Sequence, residues 1–283
     1  MEKREYRSQD ETANEPVLSH EEMQQEELRL LRAFDAFCKK HELKYSLAGG
    51  TLLGAVRHKG LIPWDDDIDL NMPRPDWDAL IGLRDDLFEC TGLRVIPYFG
   101  SDIDATPLVK LVNPQIKVQS DSERESSYLW MDILPVDGLP TSLAETKRVY
   151  RHAKCLRRML AVAVSTAESG HSPLRRLFKR LVGPILRAFD AQRLLGARLD
   201  RYSRSIPYGS TPYVGGVAWG MYGAGERVPL KGFENLVSLE FEGQQFSCMS
   251  CWDEYLHGLY GDYMQLPPAD KRVAHELRAW YVN

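Results

Sequence analysis

Two stretches of this chain carry residues whose types and spacing can do chemistry: Gly49-Gly50-Thr51, and the run Trp64-Asp65-Asp66-Asp67-Ile68-Asp69-Leu70. On an extended strand, Asp67, Asp69 and Asn71 point to one face and Ile68, Leu70 and Met72 to the other. Carboxylates held side by side repel unless a cation sits between them. An all-oxygen set suits a hard cation such as Mg²⁺, with Mn²⁺ as the alternative. Asp65 keeps the alternation and is a further ligand or outer-shell candidate. The glycine pair leaves backbone room for a phosphate, and Thr51 follows directly. The chemistry implied is metal-assisted reaction of a phosphate-bearing substrate. A calcium loop with Asp65, Asp67 and Asp69 at its first, third and fifth positions fails, because Leu70 replaces the turn glycine and Asp76 the bidentate glutamate.

Other residues join this pair. Asp132 is a lone carboxylate in the apolar run Trp130–Leu134, and a buried carboxylate needs a partner. A neighbouring strand would bring it to the metal as third ligand or general base. Arg57, His58 and Lys59 lie between the glycines and the acids, where cations can hold phosphate oxygens; His58 also reads as a base. Lys110, inside Leu108–Val112, is expected to face a buried anion, a phosphate or an aspartate. Asp137 reads as a turn cap. Tyr260 to Pro268, with Lys271, Arg272 and His275 behind it, reads as a substrate wall or a docking segment. Cys248 and Cys251 have zinc-knuckle spacing, but His257 brings the ligands only to three, and structural zinc needs four.

The elements that must hold these groups follow from periodicity and punctuation. Ser19 and Glu22 form a capping box ahead of a helix whose Met23, Leu30, Leu31, Phe34, Phe37 and Cys38 recur at helical spacing. A short strand over 45–48 leads into a helix over 51–57, the acidic strand over 68–72, and a helix from Pro75 to about Phe88. Strands are expected over 93–98, 107–112, 116–119 and 129–134, the last leaving by a Pro/Gly turn over 135–140. Helices over 142–166 and 174–204, a hairpin over 237–246, a helix over 252–260 and a last helix over 271–280 complete the chain. This gives an α+β fold: a mixed sheet with flanking helices and a helical insertion. The parts are a disordered tail (1–18), a catalytic core (19–140), a basic helical insertion (141–205) and a stretch completing the core (206–283).

Composition narrows the classes. A 43% hydrophobic, 27% charged chain of 283 residues fits a globular protein, and no apolar run reaches the ~20 residues of a membrane span. The acidic start is unlike an export or transit signal, which points to the cytoplasm and reduced cysteines, with Cys38, Cys90 and Cys155 expected mostly buried. The net charge of −4 conceals fifteen Lys and Arg between 147 and 204, opposed by Glu168, Asp190 and Asp200. Such a face is either solvated or meets anionic lipid headgroups or a polyanionic acceptor; without a base-reading motif, nucleic acid is not expected.

The run from Ala48 to Leu70, then Met72-Pro73-Arg74, then Met131 to Gly138, and Tyr260 to Pro268 with Lys271 and Arg272, resemble the LicD family across about residues 20–275. The resemblance implies a nucleotidyltransferase-like fold, with the glycine pair at Gly49 and Gly50, the acidic strand at Asp67 and Asp69, and the third acid at Asp132. It implies an enzyme that moves phosphocholine from CDP-choline, or another group from a CDP-linked donor, to a hydroxyl of a cell-surface glycan, a teichoic acid or a lipopolysaccharide precursor, releasing CMP. Such an enzyme works in the cytoplasm or at the inner face of the membrane. Choline calls for aromatic faces, for which Trp64, Trp130 and Tyr263 are the first candidates and Trp219 and Tyr222 further ones. Leu134 stands where the family often has Phe, and Pro75 where an acid is common. Two rival readings are a metal-dependent glycosyltransferase, which does not call for the glycine turn, and a non-catalytic binding protein, against which the intact Asp67, Asp69 and Asp132 argue.

Overall fold

The computed structural model describes residues 17–65, 67–98, 102–103, 106–119, 128–164, 190–268, 270, 272 and 277–282. The expected tail lies outside these residues up to 16, as do Asp66, Lys271, His275 and most of the expected second basic helix.

Ser19 caps α1 (His20–Lys40): its hydroxyl accepts from the Glu22 amide, and the Glu22 carboxylate accepts from the Ser19 amide. All six apolar residues of the expected face are buried. Then come β1 (Ser46–Leu47), α2 (Gly49–Arg57), β2 (Asp69–Pro73), α3 (Arg74–Gly82), α4 (Arg84–Thr91), β3 (Arg94–Pro97), β4 (Val109–Gln119) and β5 (Tyr128–Leu139). These are followed by α5 (Leu143–Val164), α6 (Ala191–Ser203), β6 (Tyr213–Gly215), β7 (Val228–Pro229), α7 (Leu230–Glu234), β8 (Leu236–Phe241), β9 (Gln244–Met249), α8 (Trp252–Tyr260) and β10 (Arg278–Tyr281).

The main sheet is mixed, in the order β1-β2-β5-β4-β10, with β3 also on β4 and β6 and β7 continuing from β5. Among the described residues, only the β2–β5 pair is parallel. Leu70 and Met72 from β2 and Met131 and Ile133 from β5 join Leu31 and Phe34 of α1 in the main apolar core. Helices α5 and α6 pack on a second apolar cluster with Leu139 and Val217.

Several expectations need correction. The glycines do not precede α2 but form its first turn. The strand starts at Asp69, so Asp67 lies in the extended lead-in, although the Ile68 carbonyl already accepts from the Asp132 amide at 2.8 Å. The helix from Pro75 breaks at Leu83 into α3 and α4. No turn follows Leu134: β5 runs on to Leu139, because Pro135 to Leu139 find partners in β2 and β6. The end of the expected last helix is a strand, β10, which closes the edge of β4 over Ile116–Gln119. Alternation of burial in Arg278–Tyr281, with Ala279 inward, suits that edge better than a helix. Cys90 and Cys155 are exposed, standing on the outer faces of α4 and α5.

Candidate active site

Strand register brings the acids together. Asp69 of β2 sits opposite Asp132 of β5, which sits opposite Lys110 of β4. Adjacent strands lie about 4.8 Å apart, so three charged side chains share one row on one face. With Asp67 two residues ahead of Asp69, ligand oxygens of Asp67, Asp69 and Asp132 fall within 4.8 Å of one another. The other face of the same strands is apolar core, which is why the sequence alternates.

Burial drives the Asp69 carboxyl well above its ordinary range; Asp67, Asp132 and Asp65 push it further, and Lys110 pulls it back. Asp132 rises to about 6, chiefly from burial, tempered by Lys110 and by a hydrogen bond from the Trp130 indole. Its Oδ1 is buried without a hydrogen-bond partner, 3.9 Å from the Lys110 ammonium. Mutually repelling carboxylates, one with an orphaned buried oxygen and none beside a histidine or cysteine ligand, fit a hard divalent cation.

The glycines explain themselves at this cluster. A Cβ on Gly49, whose φ is +49°, would lie 2.5 Å from Asp69 Oδ2, and one on Gly50 would lie 2.3 Å from Asp65 Oδ2. The room they leave is thus filled by carboxylates at the start of α2. Thr51 Oγ accepts from the Asp69 amide at 2.8 Å and fixes that residue's backbone. Asn71, one step along the same face, donates to the Tyr255 hydroxyl at 3.3 Å, which also accepts from the Gly49 amide.

A cleft of about 850 Å³ opens beside the acids, walled by Gly50, Arg57, Trp64, Asp65, Asp67, Asp69 and the segment from Tyr260 to Pro268, with Arg272. Arg57 donates to the carbonyl of Tyr263 at 2.9 Å, tying that segment down. Arg272 stacks over Trp64 at 5.4 Å. Trp64 and Tyr263 therefore face the cleft. Other candidates stand elsewhere: Lys59 is exposed, with φ of 62° and its carbonyl accepting from Glu242, and His58 packs edge-on to Trp64 behind the wall. Lys110, 3% exposed, lies over Trp130 at 3.9 Å and Tyr98 at 4.7 Å, so Trp130 serves Asp132 and Lys110 rather than the cleft. Asp137 is no turn cap but a buried partner of Arg74. Cys248 points into the core and forms no metal group with Cys251 and His257 among the described residues.

Sequence reasoning named Tyr222 as a further aromatic candidate but missed how its loop is held. The loop Gly216–Gly223 carries Tyr222, whose ring meets Tyr260 at 5.1 Å. Burial raises the Tyr222 hydroxyl, Tyr260 lowers it, and the charges of Glu226, Asp69 and Asp65 raise it again. Arg157 of α5 donates to the carbonyls of Val217, Ala218 and Gly220, at 3.1, 3.2 and 3.0 Å. The Glu226 carboxylate, raised to about 7 by burial, accepts from the Tyr222 amide at 3.0 Å. An irregular loop thus has its carbonyls held by a cation and an amide held by an anion. The glycines over 215–225 were the available signal, but only the fold reveals the clamp. Arg157→Ala should cost about 2–4 kcal/mol in urea unfolding, because three charge-assisted bonds go and Glu226 loses its countercharge. Glu226→Gln in the same chain should restore part of it; a loss below about 1 kcal/mol would mean the loop is held by other contacts.

A mixed sheet in an α+β frame thus lines up acids from parallel β2 and β5 beside a helix opening on two glycines. The family model LicD/FKTN/FKRP, nucleotidyltransferase domain, matches residues 42–137. Over 271 residues the chain is 30% identical to the lipopolysaccharide cholinephosphotransferase LicD of Haemophilus influenzae, covering 90% of this chain and 95% of that one. Over 48 residues it is 44% identical to uncharacterised proteins of Rickettsia prowazekii and Rickettsia typhi, 17% of this chain and 18% and 16% of theirs. The chain belongs to the LicD family and is a phosphotransferase.

Proposed function

We propose that this enzyme transfers phosphocholine from CDP-choline to a hydroxyl of a lipopolysaccharide-type or other cell-surface glycan, releasing CMP. The observation that carries the reading is the register of Asp69 against Asp132, which gathers three carboxylates beside the cleft in a chain similar over nearly its whole length to a lipopolysaccharide cholinephosphotransferase. Asp67, Asp69 and Asp132 would hold Mg²⁺, or Mn²⁺ in its place, with Asp65 beside them. When bound, such an ion neutralises phosphate charge and polarises the bond to be broken.

The chain's own residues do the rest. The start of α2, at Gly49, Gly50 and Thr51, turns its dipole toward Asp69 and Asp65 and favours the charged carboxylates that would hold the ion. Arg57 and Arg272 line the cleft and add positive charge there. A carboxylate has two oxygens, so Asp132 can lend one to the ion and use the other to take the acceptor's proton, while Lys110 and Trp130 hold it in place. The acceptor oxygen attacks the phosphorus bearing choline, and the bond from that phosphorus to the CMP oxygen breaks, CMP leaving with the electron pair. Trp64, Tyr260 and Tyr263, with Tyr222 against Tyr260, offer aromatic faces for the trimethylammonium head. A lipid-linked acceptor would put this reaction at a membrane surface. No helix among the described residues is long and apolar enough to span one.

Phosphorus NMR of the protein with Mg²⁺, CDP-choline, other CDP-linked donors and candidate glycans tests the reading. CMP and a new phosphodiester should appear from CDP-choline. Consumption of a UDP-sugar instead would make it a glycosyltransferase, and binding of CDP-choline without turnover would make it a non-catalytic relative.

A further inference from the structure

Helix α5 turns one side inward and leaves the other charged. Thr146, Tyr150, Ala153, Leu156 and Leu160 are buried, and Lys147, Arg151, Lys154 and Arg158 stand on the opposite side, one per turn in a single stripe that Val162 continues. Like charges three and four residues apart oppose helix formation, so this stripe works against the helix that carries it. Elsewhere on the helix pair, cations find acids: Arg193 pairs with Asp102, and Arg204 with Asp78 and Asp200. Lys147, Arg148, Arg151, Lys154, Arg158, Arg198 and Arg201 are exposed and have no side-chain ion pair among the described residues. Large apolar side chains stand exposed on the same two helices: Leu143, Met159, Val162 and Leu194, the last 64% exposed.

We infer that the exposed side of α5, with α6 beside it, is a docking surface for an anionic lipid bilayer. Unpaired cations mixed with exposed apolar side chains match what an interface of phosphate headgroups over acyl chains presents: long basic side chains reach the headgroups, and Met159, Val162 and Leu194 enter below them. A polyanion without an apolar layer would leave those side chains in water. The inference deepens the proposed function, since a bilayer-bound enzyme meets a lipid-linked acceptor by diffusion in two dimensions, but the surface itself does not depend on the donor.

Sedimentation of the full chain with lipid vesicles tests it. Vesicles containing about one third phosphatidylglycerol should bind the protein, vesicles of phosphatidylcholine alone should not, and raised salt should release it. Each basic residue at the surface is worth roughly fivefold in partitioning, so replacing Lys147, Arg151, Lys154 and Arg158 with Gln should weaken binding about a hundredfold or more. The thermal midpoint should not fall, since the change relieves like-charge repulsion along α5, and transfer to a lipid-free glycan should be unchanged, since none of the four lines the cleft. Equal binding to neutral vesicles, no binding, undiminished binding by the variant, or tighter binding to duplex DNA than to anionic vesicles would each overturn the inference. Vesicle binding in a protein that consumes no CDP-linked donor would sink the proposed function and leave the docking surface standing. Turnover without vesicle binding would do the reverse.

Discussion

Asp69→Asn and Asp132→Asn are each expected to lower transfer at least about a hundredfold while making the metal-free protein more stable at pH 8. The two effects share a cause. Burial and neighbouring carboxylates hold both groups above their ordinary range in the folded chain. In the unfolded chain an aspartate ionises near pH 4. Between that pH and the folded value, about 6 for Asp132, the unfolded state releases a proton that the folded state keeps. Folding stability therefore falls as pH rises through that window, and the full penalty stands above it. An asparagine removes the penalty, worth on the order of 3 kcal/mol for a shift of this size. Denaturation with a chelator present should show Asp132→Asn above the parent at pH 8 and level with it near pH 4. A variant that loses activity and stability together would mean that the acids serve the fold. Retained turnover in both variants would remove these residues from the mechanism.

That combination, local chemistry opposed to local stability, is also why this part of the site was legible in the sequence. Asp69 and Asp132 each break an apolar run in a way that no core requires, Asp67 keeps the alternation with Asp69, and a glycine pair is a costly way to open a helix. What one-dimensional pattern could not convey was pairing. Lys110 reads as a cation facing some anion; only the β4–β5 register makes that anion Asp132. Trp130 reads as a free aromatic face, yet it lies beneath Lys110. The space beside Gly49 and Gly50 reads as room for phosphate, but Asp69 and Asp65 are folded into it. The clamp on the Gly216–Gly223 loop draws Arg157 from α5, 60 or so residues away in a helix whose charges read as surface. Strands were misjudged where prolines and glycines sat inside them: β5 passes through Pro135 and Gly138 because both of its edges find partners there.

The same continuation of β5 underlies the largest expected effect on stability. Arg74, at the start of α3, directs its guanidinium at Asp137 of β5 with two bonds of 2.7 Å, and at Asp200 of α6 with a third of 3.2 Å. Arg74 is 5% exposed and Asp137 1%. The two signature runs around Met72 and Val136 therefore meet as one bidentate ion pair that joins the end of β2 to β5 and reaches across to α6. Removing one partner strands the other charge in the interior, so Arg74→Ala and Asp137→Ala should each cost about 3–5 kcal/mol. That is a large share of the 5–15 kcal/mol by which a domain is ordinarily stable. Removing both is different: the desolvation penalty disappears with the attraction, and Arg74→Met with Asp137→Leu should recover most of the loss. Urea midpoints of the two single variants and the double one decide the matter. Additive losses would mean that the pair is not coupled, and the link between β2 and β5 would then rest on the parallel ladder alone. If the double variant folds and still binds CDP-choline, but transfers slowly, the pair has a second task. It sets the angle at which β5 presents Asp132 to Asp69, a geometry that an apolar pair of similar volume fills without fixing.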